Sequence, residues 1–76
     1  MKDLIKHIVQ AIVDNPEQIK VMEIEGRHTS VLELKVAKED MGKVIGKKGK
    51  TAQAMRTILS SVSGKVKKRM FLEIVE

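Results

Sequence analysis

Two glycines three positions apart, Gly46 and Gly49, constrain the fold of this chain more than any other feature. They separate two apolar patterns with helical spacing, which predict a short helix over 41–45 and a longer one from about residue 50 to residue 61. Because glycine has no Cβ atom, the chain can turn sharply at these two positions and a second backbone can approach closely. The middle of the chain is therefore predicted to be two helices joined by a tight loop.

Hydrophobic spacing also predicts the elements on either side of this loop. An amphipathic helix is predicted to end before Pro16, because proline drives the preceding residue out of the helical region. Met22 and Ile24 shift the alternation of the first strand, so either a bulge or burial on both faces would fit there. The predicted order is helix 2–14, strand 19–25, turn 26–28, strand 31–37, a helix N-cap at Glu39 and Asp40, helix 41–45, glycine loop 46–49, helix 50–61, a break at Ser63 and Gly64, and strand 65–75.

This order of elements predicts an α+β fold. The last strand follows a helical crossover from the second strand, so these two strands are expected to be parallel through a right-handed connection. The first two strands are separated by a short turn and are expected to form a hairpin. The product is a three-stranded mixed sheet with helices packed on one face, forming a single domain over residues 1–76.

Charge divides the chain into an acidic part and a basic part. Residues 1–40 contain six basic and eight acidic residues, a net charge of −2. Residues 41–76 contain nine basic and two acidic residues, a net charge of +7, and no carboxylate side chain lies between Asp40 and Glu73. Such an asymmetry is typical of a surface that binds a polyanion, although a face that only confers solubility would show the same composition.

The composition argues against several other kinds of site. Phe71 is the only aromatic residue, so the chain has almost no means of stacking bases as RRM, cold-shock and OB domains do. It has no cysteine, and neither His7 nor His28 has further ligands at metal-binding spacing, so no metal and no cofactor is expected. No nucleophile lies near a candidate base in the sequence, and we do not expect an enzyme.

The sequence contains no pattern typical of export or membrane insertion. The first segment carries Asp3, Lys6 and His7 among its apolar residues, so it lacks the uninterrupted apolar core of a signal peptide. No apolar run approaches the roughly 20 residues that a membrane span needs. The absence of cysteine fits a reducing compartment, and a cytoplasmic location is expected.

Lysines surround the two glycines. Lys47 and Lys48 lie at the tip of the predicted loop, where they add charge without requiring a fixed geometry. Backbone amides at the start of the following helix would point toward an anion, and the helix dipole favours negative charge there. The loop therefore has the chemistry to hold a phosphate backbone against the main chain.

The segment VIGKKG at residues 44–49 resembles the signature of the KH domain, whose GxxG loop clamps about four backbone nucleotides. The order of elements is similar to that of the type II KH domain, in which the extra helix and strand precede the core. The length, the layout and the continuation TAQAMR at residues 51–56 resemble the small bacterial KhpA family. The resemblance covers the whole chain.

The resemblance implies that the loop grips single-stranded RNA, with basic residues supplying charge and apolar residues lining a groove under the bases. The implied RNA-binding residues are Lys43, Val44, Ile45, Gly46, Lys47, Lys48, Gly49, Lys50, Thr51, Met55, Lys65 and Lys67. Of these, Val44, Ile45 and Met55 would line the groove. The last strand and the loop before it, residues 60–69, would border it with Lys65, Lys67, Lys68 and Arg69, unless the basic residues there simply face solvent.

The resemblance also implies partners and a cellular role. The chain would form a homodimer or a heterodimer with a larger KH-containing protein. It would act as an RNA chaperone in post-transcriptional regulation, with effects on cell shape and cell wall biogenesis. An alternative is an interaction module that uses the fold to dimerise, with RNA binding incidental. Phe71 alternates with the inward residues of the last strand, so it could be a dimer contact or be partly buried under the first helix.

Overall fold

The computed structural model describes residues 2–76 and confirms the predicted α+β class. The helices are α1 (Lys2–Gln10), α2 (Met41–Ile45) and α3 (Lys50–Val66), and the strands are β1 (Lys20–Glu25), β2 (Thr29–Lys35) and β3 (Arg69–Val75). Single 3₁₀ turns occur at Pro16–Gln18, Lys38–Asp40 and Lys47–Gly49. The order of the principal elements is the predicted one, and the differences lie at their ends.

The three strands form one mixed sheet in the order β1-β2-β3. β1 pairs with β2 antiparallel, and β2 pairs with β3 parallel across the helical crossover. The β1–β2 register is continuous from Lys20, opposite Lys35, to Glu25, opposite Ser30, so β1 contains no bulge. Met22 and Ile24 are exposed and lie on the face of the sheet opposite to the core.

The core lies between the sheet and the helices. Alternate residues of β2 are buried, and Leu32 and Leu34 are completely shielded from solvent. The buried apolar side chains packed with them come from α1, α2, α3 and β3: Ile5, Val9, Val44, Met55, Leu59 and Leu72. Because α1 packs on β1 and α3 packs on β3, the sheet is covered on one side, and the loop between α2 and α3 is left at the surface.

Helix α3 is longer than its sequence indicates. It continues through Ser63 and Gly64 to Val66, and β3 starts at Arg69 rather than at residue 65. The parallel register places Arg69 beside Thr29, so the residues before it are too early in the chain to pair with β2. They extend the helix instead, which then ends at Lys67 in a left-handed conformation with a φ of 55°.

Replacing Gly64 by alanine is expected to stabilise the fold by about 0.5–1 kcal/mol, because glycine inside a helix costs conformational entropy. A Cβ atom at this position would meet nothing within 4 Å. Urea denaturation of both proteins would measure the difference. Gly49→Ala is a matched control: its Cβ would also meet nothing within 4 Å, but the φ of +73° makes it destabilising. A loss of stability in Gly64→Ala would contradict the helix through this position.

Asp40, predicted to cap α2, has a different role. It occupies the N-cap position, but its side chain makes no hydrogen bond to α2. Its carboxylate instead accepts hydrogen bonds from the backbone N–H groups of Asp14 (3.2 Å) and Asn15 (3.0 Å), and from Asn15 Nδ2 (3.1 Å). This buried carboxylate holds the segment that follows α1, which ends at Gln10 rather than at residue 14.

Asp40→Ala is therefore expected to destabilise the fold in a pH-dependent manner. Burial raises the pKa of the Asp40 carboxyl, but the hydrogen bonds from Asp14 and Asn15 outweigh it, and the pKa lies below the ordinary value of 3.8. A lowered folded-state pKa stabilises the protein above the unfolded-state pKa, and the stabilisation is lost as pH falls through the folded-state value. Thermal unfolding of wild type and Asp40→Ala should thus differ most at pH 7, and the difference should narrow as the pH falls below about 4.

A matched control for this comparison is Glu39→Ala, because Glu39 is the exposed neighbour of Asp40 in the same turn. We expect this variant to follow wild type at every pH. A constant gap between wild type and Asp40→Ala down to pH 2 would contradict the proposed role of the charged carboxylate.

Candidate nucleic-acid interface

The loop between α2 and α3 has a backbone that depends on its two glycines. Gly46 has φ 80° and ψ 168°, Lys48 has φ 57° and ψ 27°, and Gly49 has φ 73° and ψ 13°. Three of the four loop residues thus have positive φ, which L residues other than glycine adopt at a cost. Backbone hydrogen bonds close the loop: Gly46 N–H donates to the carbonyl of Gly42 at 2.9 Å, Gly49 N–H to the carbonyl of Gly46 at 3.0 Å, and Lys50 N–H to the carbonyl of Lys47.

The two glycines are required for different reasons. A Cβ atom on Gly46 would lie 2.7 Å from Thr51 Cβ and 2.8 Å from Thr51 N, closer than real Cβ atoms approach. A Cβ atom on Gly49 would meet nothing within 4 Å, so only its φ favours glycine. Gly46 is therefore packed against the first turn of α3 through Thr51, whereas the space beside Gly49 is open to a ligand.

The loop and the start of α3 present positive charge to solvent. Lys47, Lys48 and Lys50 are all exposed. No side chain caps the N-terminus of α3, where Gly49 occupies the N-cap position. The N-terminal end of this 17-residue helix therefore adds the partial positive charge of the helix dipole beside the lysine side chains. This arrangement favours an anion such as a phosphate group.

Lys43 has a partner within the chain that the sequence did not reveal. Its ammonium group forms an ion pair with the carboxylate of Asp14, 29 residues away. The hydrogen bond to Asp14 raises the pKa of Lys43, so the side chain is held in its charged form and its charge is partly neutralised. Lys43 therefore contributes less positive charge to the binding of an anion than Lys47, Lys48 and Lys50 do.

Two of the three apolar residues expected to line a groove lie in the core. Val44 is 0% exposed and Met55 is 1% exposed, because the inward face of each helix packs on the sheet. Only Ile45, at the end of α2, reaches solvent. Val44 and Met55 therefore support the loop from beneath, and direct contact with a base is geometrically available to Ile45 alone of the three.

A groove of about 320 Å³ runs between α3 and β3, beyond the loop. Its lining residues are Arg56, Ser60 and Ser63 of α3, spaced four and three residues apart, and Arg69, Met70, Phe71 and Leu72 of β3. Arg56 Nη2 donates to the carbonyl oxygen of Leu72 at 3.5 Å, across the groove. Because β3 pairs only with β2, its other edge is free and offers backbone groups to a ligand.

Arg56 was not among the residues that sequence analysis assigned to the site, whereas Arg69 was expected only as part of the basic cluster that borders the groove. The helical spacing of Arg56, Ser60 and Ser63 places them on one face of α3. This spacing could have identified them as the side of the groove that α3 forms. Arg69 lines the groove because β3 begins at this residue. The sequence pattern predicted that the strand begins four residues earlier. Lys65 and Lys67, expected on that strand, instead lie exposed at the end of α3 and do not line the groove.

Across 2–76, no three histidine, cysteine or carboxylate side chains come together where they could bind a metal ion. Over the same range, no helix combines the length and apolar character that a membrane span requires.

Comparison with known proteins agrees with the geometry of the loop. The family model described as "KhpA/KhpB, KH domain" matches residues 2–74. A protein named "RNA-binding protein KhpA" from Caldanaerobacter subterraneus subsp. tengcongensis is 52% identical over 75 residues, covering 99% of this chain and 100% of that relative. Proteins of the same name from Chlamydia pneumoniae and Aquifex aeolicus are each 46% identical over 76 residues, covering all of this chain and 97% and 96% of the relatives. No solved structure matches the chain.

Proposed function

The chain belongs to the KhpA/KhpB family of KH domains, and from this membership we propose that it binds single-stranded RNA through the loop at Gly46–Gly49. The relatives reported above carry RNA binding in their names. The family is one of RNA-binding KH domains and not of enzymes, so the proposal contains no catalytic step. Residues 1–76 act in it as a single KH domain.

The central part of this proposal is that the loop holds the sugar-phosphate backbone of the RNA. The open space beside Gly49 is the observation that supports it. At Gly49 no side chain separates the main chain from solvent, and nothing lies within 4 Å of the missing Cβ. A sugar-phosphate backbone can therefore approach the N-terminal end of α3, where no side chain caps the helix. Lys47, Lys48 and Lys50 supply the charge that neutralises the phosphates.

Bases would leave the loop along the groove between α3 and β3. Ile45 provides apolar surface at the start of this path, and Arg56 and Arg69 provide donors farther along it. The carbonyl of Leu72 on the free edge of β3 can accept a hydrogen bond from a base once Arg56 has turned away from it. Most of these groups address the backbone or any base edge, so we expect modest sequence preference.

The salt dependence of RNA binding tests this function. If the loop and its neighbours neutralise three or four phosphates of a single strand, log K should fall with log salt at a slope of about −2 to −3. Fluorescence anisotropy with a labelled ten-nucleotide RNA at several salt concentrations would measure this slope. A duplex of the same sequence is the control, and we expect it to bind at least ~10-fold more weakly because its bases cannot enter the groove. Equal affinity for the duplex, or a slope near zero, would contradict the proposal.

Further parts of the proposal come from the family resemblance. We propose that the chain acts in the cytoplasm as an RNA chaperone in post-transcriptional regulation, with effects on cell shape and cell wall biogenesis. We also propose that it pairs with a second copy or with a larger KH-containing protein. These statements depend on the resemblance alone, since the names of the relatives specify only RNA binding.

A second candidate function is an interaction module in which RNA binding is incidental. The exposed apolar side chains of the sheet, Met22, Ile24 and Phe71, favour it. The two functions predict different results when the charges of Lys47 and Lys48 are reversed. An interaction module would keep its RNA affinity, whereas an RNA-binding loop would lose it.

A further inference from the structure

A second cavity, of about 210 Å³, lies between the last turns of α3 and the covered side of the sheet. Val62 and Val66 of α3 and Met70 of β3 form its apolar wall. The two valines follow Lys50 by 12 and 16 residues, which places the cavity about 18–24 Å from the glycine loop by helical rise. The cavity is therefore separate from the nucleic-acid interface described above.

The polar part of the lining carries more negative than positive charge. It consists of Glu23 and Glu25 of β1, Ser30 of β2, and Lys68 immediately before β3. Glu25 and Ser30 are partners in the β1–β2 register, and Glu23 lies diagonally opposite Ser30 on the same face of the sheet. Side chains in these two relations start about 5 Å and 7–8 Å apart. The two carboxylates and the hydroxyl group therefore converge on the same space.

The hydroxyl group of Ser30 is the unusual feature of this cavity. Ser30 is 1% exposed, and its Oγ atom has no hydrogen-bond partner within residues 2–76. A buried hydroxyl without a partner loses the free energy of its hydration, and an alanine at this position would avoid that loss. Because Ser30 lines the cavity, a ligand bound there can supply the missing partner.

Glu23 also lacks a partner of opposite charge. Glu25 forms an ion pair with Lys68 at 3.6 Å, whereas Glu23 takes part in no ion pair among residues 2–76. Two carboxylates and one ammonium group give the lining a net charge of −1, in a chain whose net charge is +5. A ligand with one positive charge near Glu23 would neutralise the cavity.

The lining disfavours other classes of small ligand. The two carboxylates repel an anion, and a purely apolar molecule leaves the Ser30 hydroxyl unpaired. A divalent metal ion needs about six oxygen ligands, whereas three of the seven side chains here are apolar and Lys68 adds a positive charge. The combination of an apolar wall, a free carboxylate and a buried hydroxyl selects an organic cation.

We propose that this cavity binds a small aliphatic amine in its protonated form. The ammonium group donates hydrogen bonds to the Oγ atom of Ser30 and to the carboxylate of Glu23, since the diagonal spacing of these residues brings both acceptors within reach of one nitrogen atom. The alkyl chain lies along the apolar wall. The ligand thereby pairs the buried hydroxyl, neutralises the free carboxylate and removes apolar surface from water.

The volume of the cavity limits the size of the amine. At about 210 Å³, it is smaller than the roughly 300–1,000 Å³ of pockets that hold drug-sized molecules, so a chain of a few carbon atoms fits. A ligand with so few atoms binds weakly, and we expect a dissociation constant of about 1–10 mM for n-butylamine.

NMR titration of the full chain with n-butylamine hydrochloride, at neutral pH and constant ionic strength, tests this proposal without RNA. The backbone amide signals of Ser30, Val66 and Met70 should shift and saturate, whereas those of Lys47 and Gly49 in the loop should not move. Ammonium chloride has the charge without the chain, and 1-butanol has the chain without the charge. Each should bind at least ~10-fold more weakly than n-butylamine.

Three variants test the two acceptors. Glu23→Gln removes the charge that faces the ammonium group and should weaken binding at least ~10-fold. Glu33→Gln is the matched control: it makes the same change on the opposite face of the sheet, and it should bind n-butylamine as wild type does. Ser30→Ala should weaken binding about fivefold or more and raise the melting temperature of the free protein, because it removes the unpaired hydroxyl.

The proposal is overturned if the wild-type signals do not saturate by about 50 mM n-butylamine, or if ammonium chloride or 1-butanol binds as tightly. It is also overturned if Ser30→Ala lowers the melting temperature and leaves amine affinity unchanged, since the hydroxyl would then serve only the fold. Circular dichroism checks that each variant is folded. A variant with Lys47 and Lys48 both changed to Asp should lose RNA affinity but bind n-butylamine within about threefold of wild type, so the two proposals fail independently.

Discussion

Changing Lys47 and Lys48 together to aspartate is expected to weaken binding of single-stranded RNA by roughly 30- to 700-fold, about 2–4 kcal/mol. Both side chains lie at the tip of the loop and are exposed, so the change replaces two attractions for phosphate with two repulsions. The salt slope should also decrease by one or more, because fewer phosphates are neutralised. Anisotropy titration at two salt concentrations measures both effects.

The loop should tolerate these substitutions structurally. Neither lysine side chain contributes to the core, and Lys48 already has a left-handed backbone with φ 57°. Aspartate adopts this conformation more readily than most residues. We therefore expect the unfolding transition of the double variant to stay close to that of wild type, which would make a loss of RNA affinity attributable to the site.

A matched control is the pair Lys65→Asp and Lys67→Asp. It makes the same change in net charge at the far end of α3, about 25 Å from the loop by helical rise. Neither residue lines the groove, so we expect a loss of only a few-fold from the long-range field. Equal losses in the two double variants would show that RNA responds only to net charge and would refute a specific grip at the loop. Unchanged affinity in the loop variant would favour the interaction module.

Gly46→Ala is expected to produce the largest loss of stability of any single change in the loop. Its φ of 80° and ψ of 168° lie in a region that is essentially restricted to glycine, which costs about 1–3 kcal/mol. The added Cβ would also clash with Thr51 Cβ at 2.7 Å and with Thr51 N at 2.8 Å, and overpacking of this kind costs about 1–3 kcal/mol more. A total of about 2–6 kcal/mol is a large part of the stability of a small domain.

Gly49→Ala separates these two contributions, since it imposes a left-handed conformation with no clash. We expect it to cost about 1–2 kcal/mol, and therefore less than Gly46→Ala. Urea denaturation of the two variants and wild type would give both values. If the two substitutions lower the free energy of unfolding equally, the close packing of Gly46 against Thr51 would be contradicted.

Much of the fold was predictable because its signals are local. The alternation in β2, the apolar stripe of α3 and the break at Gly46 each depend on residues within a few positions of one another. The parallel pairing of β2 with β3 followed from a chain-connection rule that needs only the order of the elements. The loop itself could be located from the two glycines and the helices that flank them.

The remaining features depend on contacts between distant parts of the chain. Asp40 accepts hydrogen bonds from residues 25 and 26 positions earlier, and no local pattern indicates that partner. The end of α3 follows from the register of β3 on β2, which overrides the helix-breaking tendency of Gly64. The same register decided that Arg69 lines the groove.

The sequence by itself determined the class of fold, the order of its elements and the position of a glycine loop rich in lysine. These depend on backbone sterics and on side-chain periodicity, which act over a few residues. Only the tertiary structure decided that Val44 and Met55 are core residues, that Lys43 is paired, and that Ile24 and Phe71 remain exposed on the sheet. Burial and pairing depend on which surfaces the packed elements bring together, and that arrangement is a property of the whole chain.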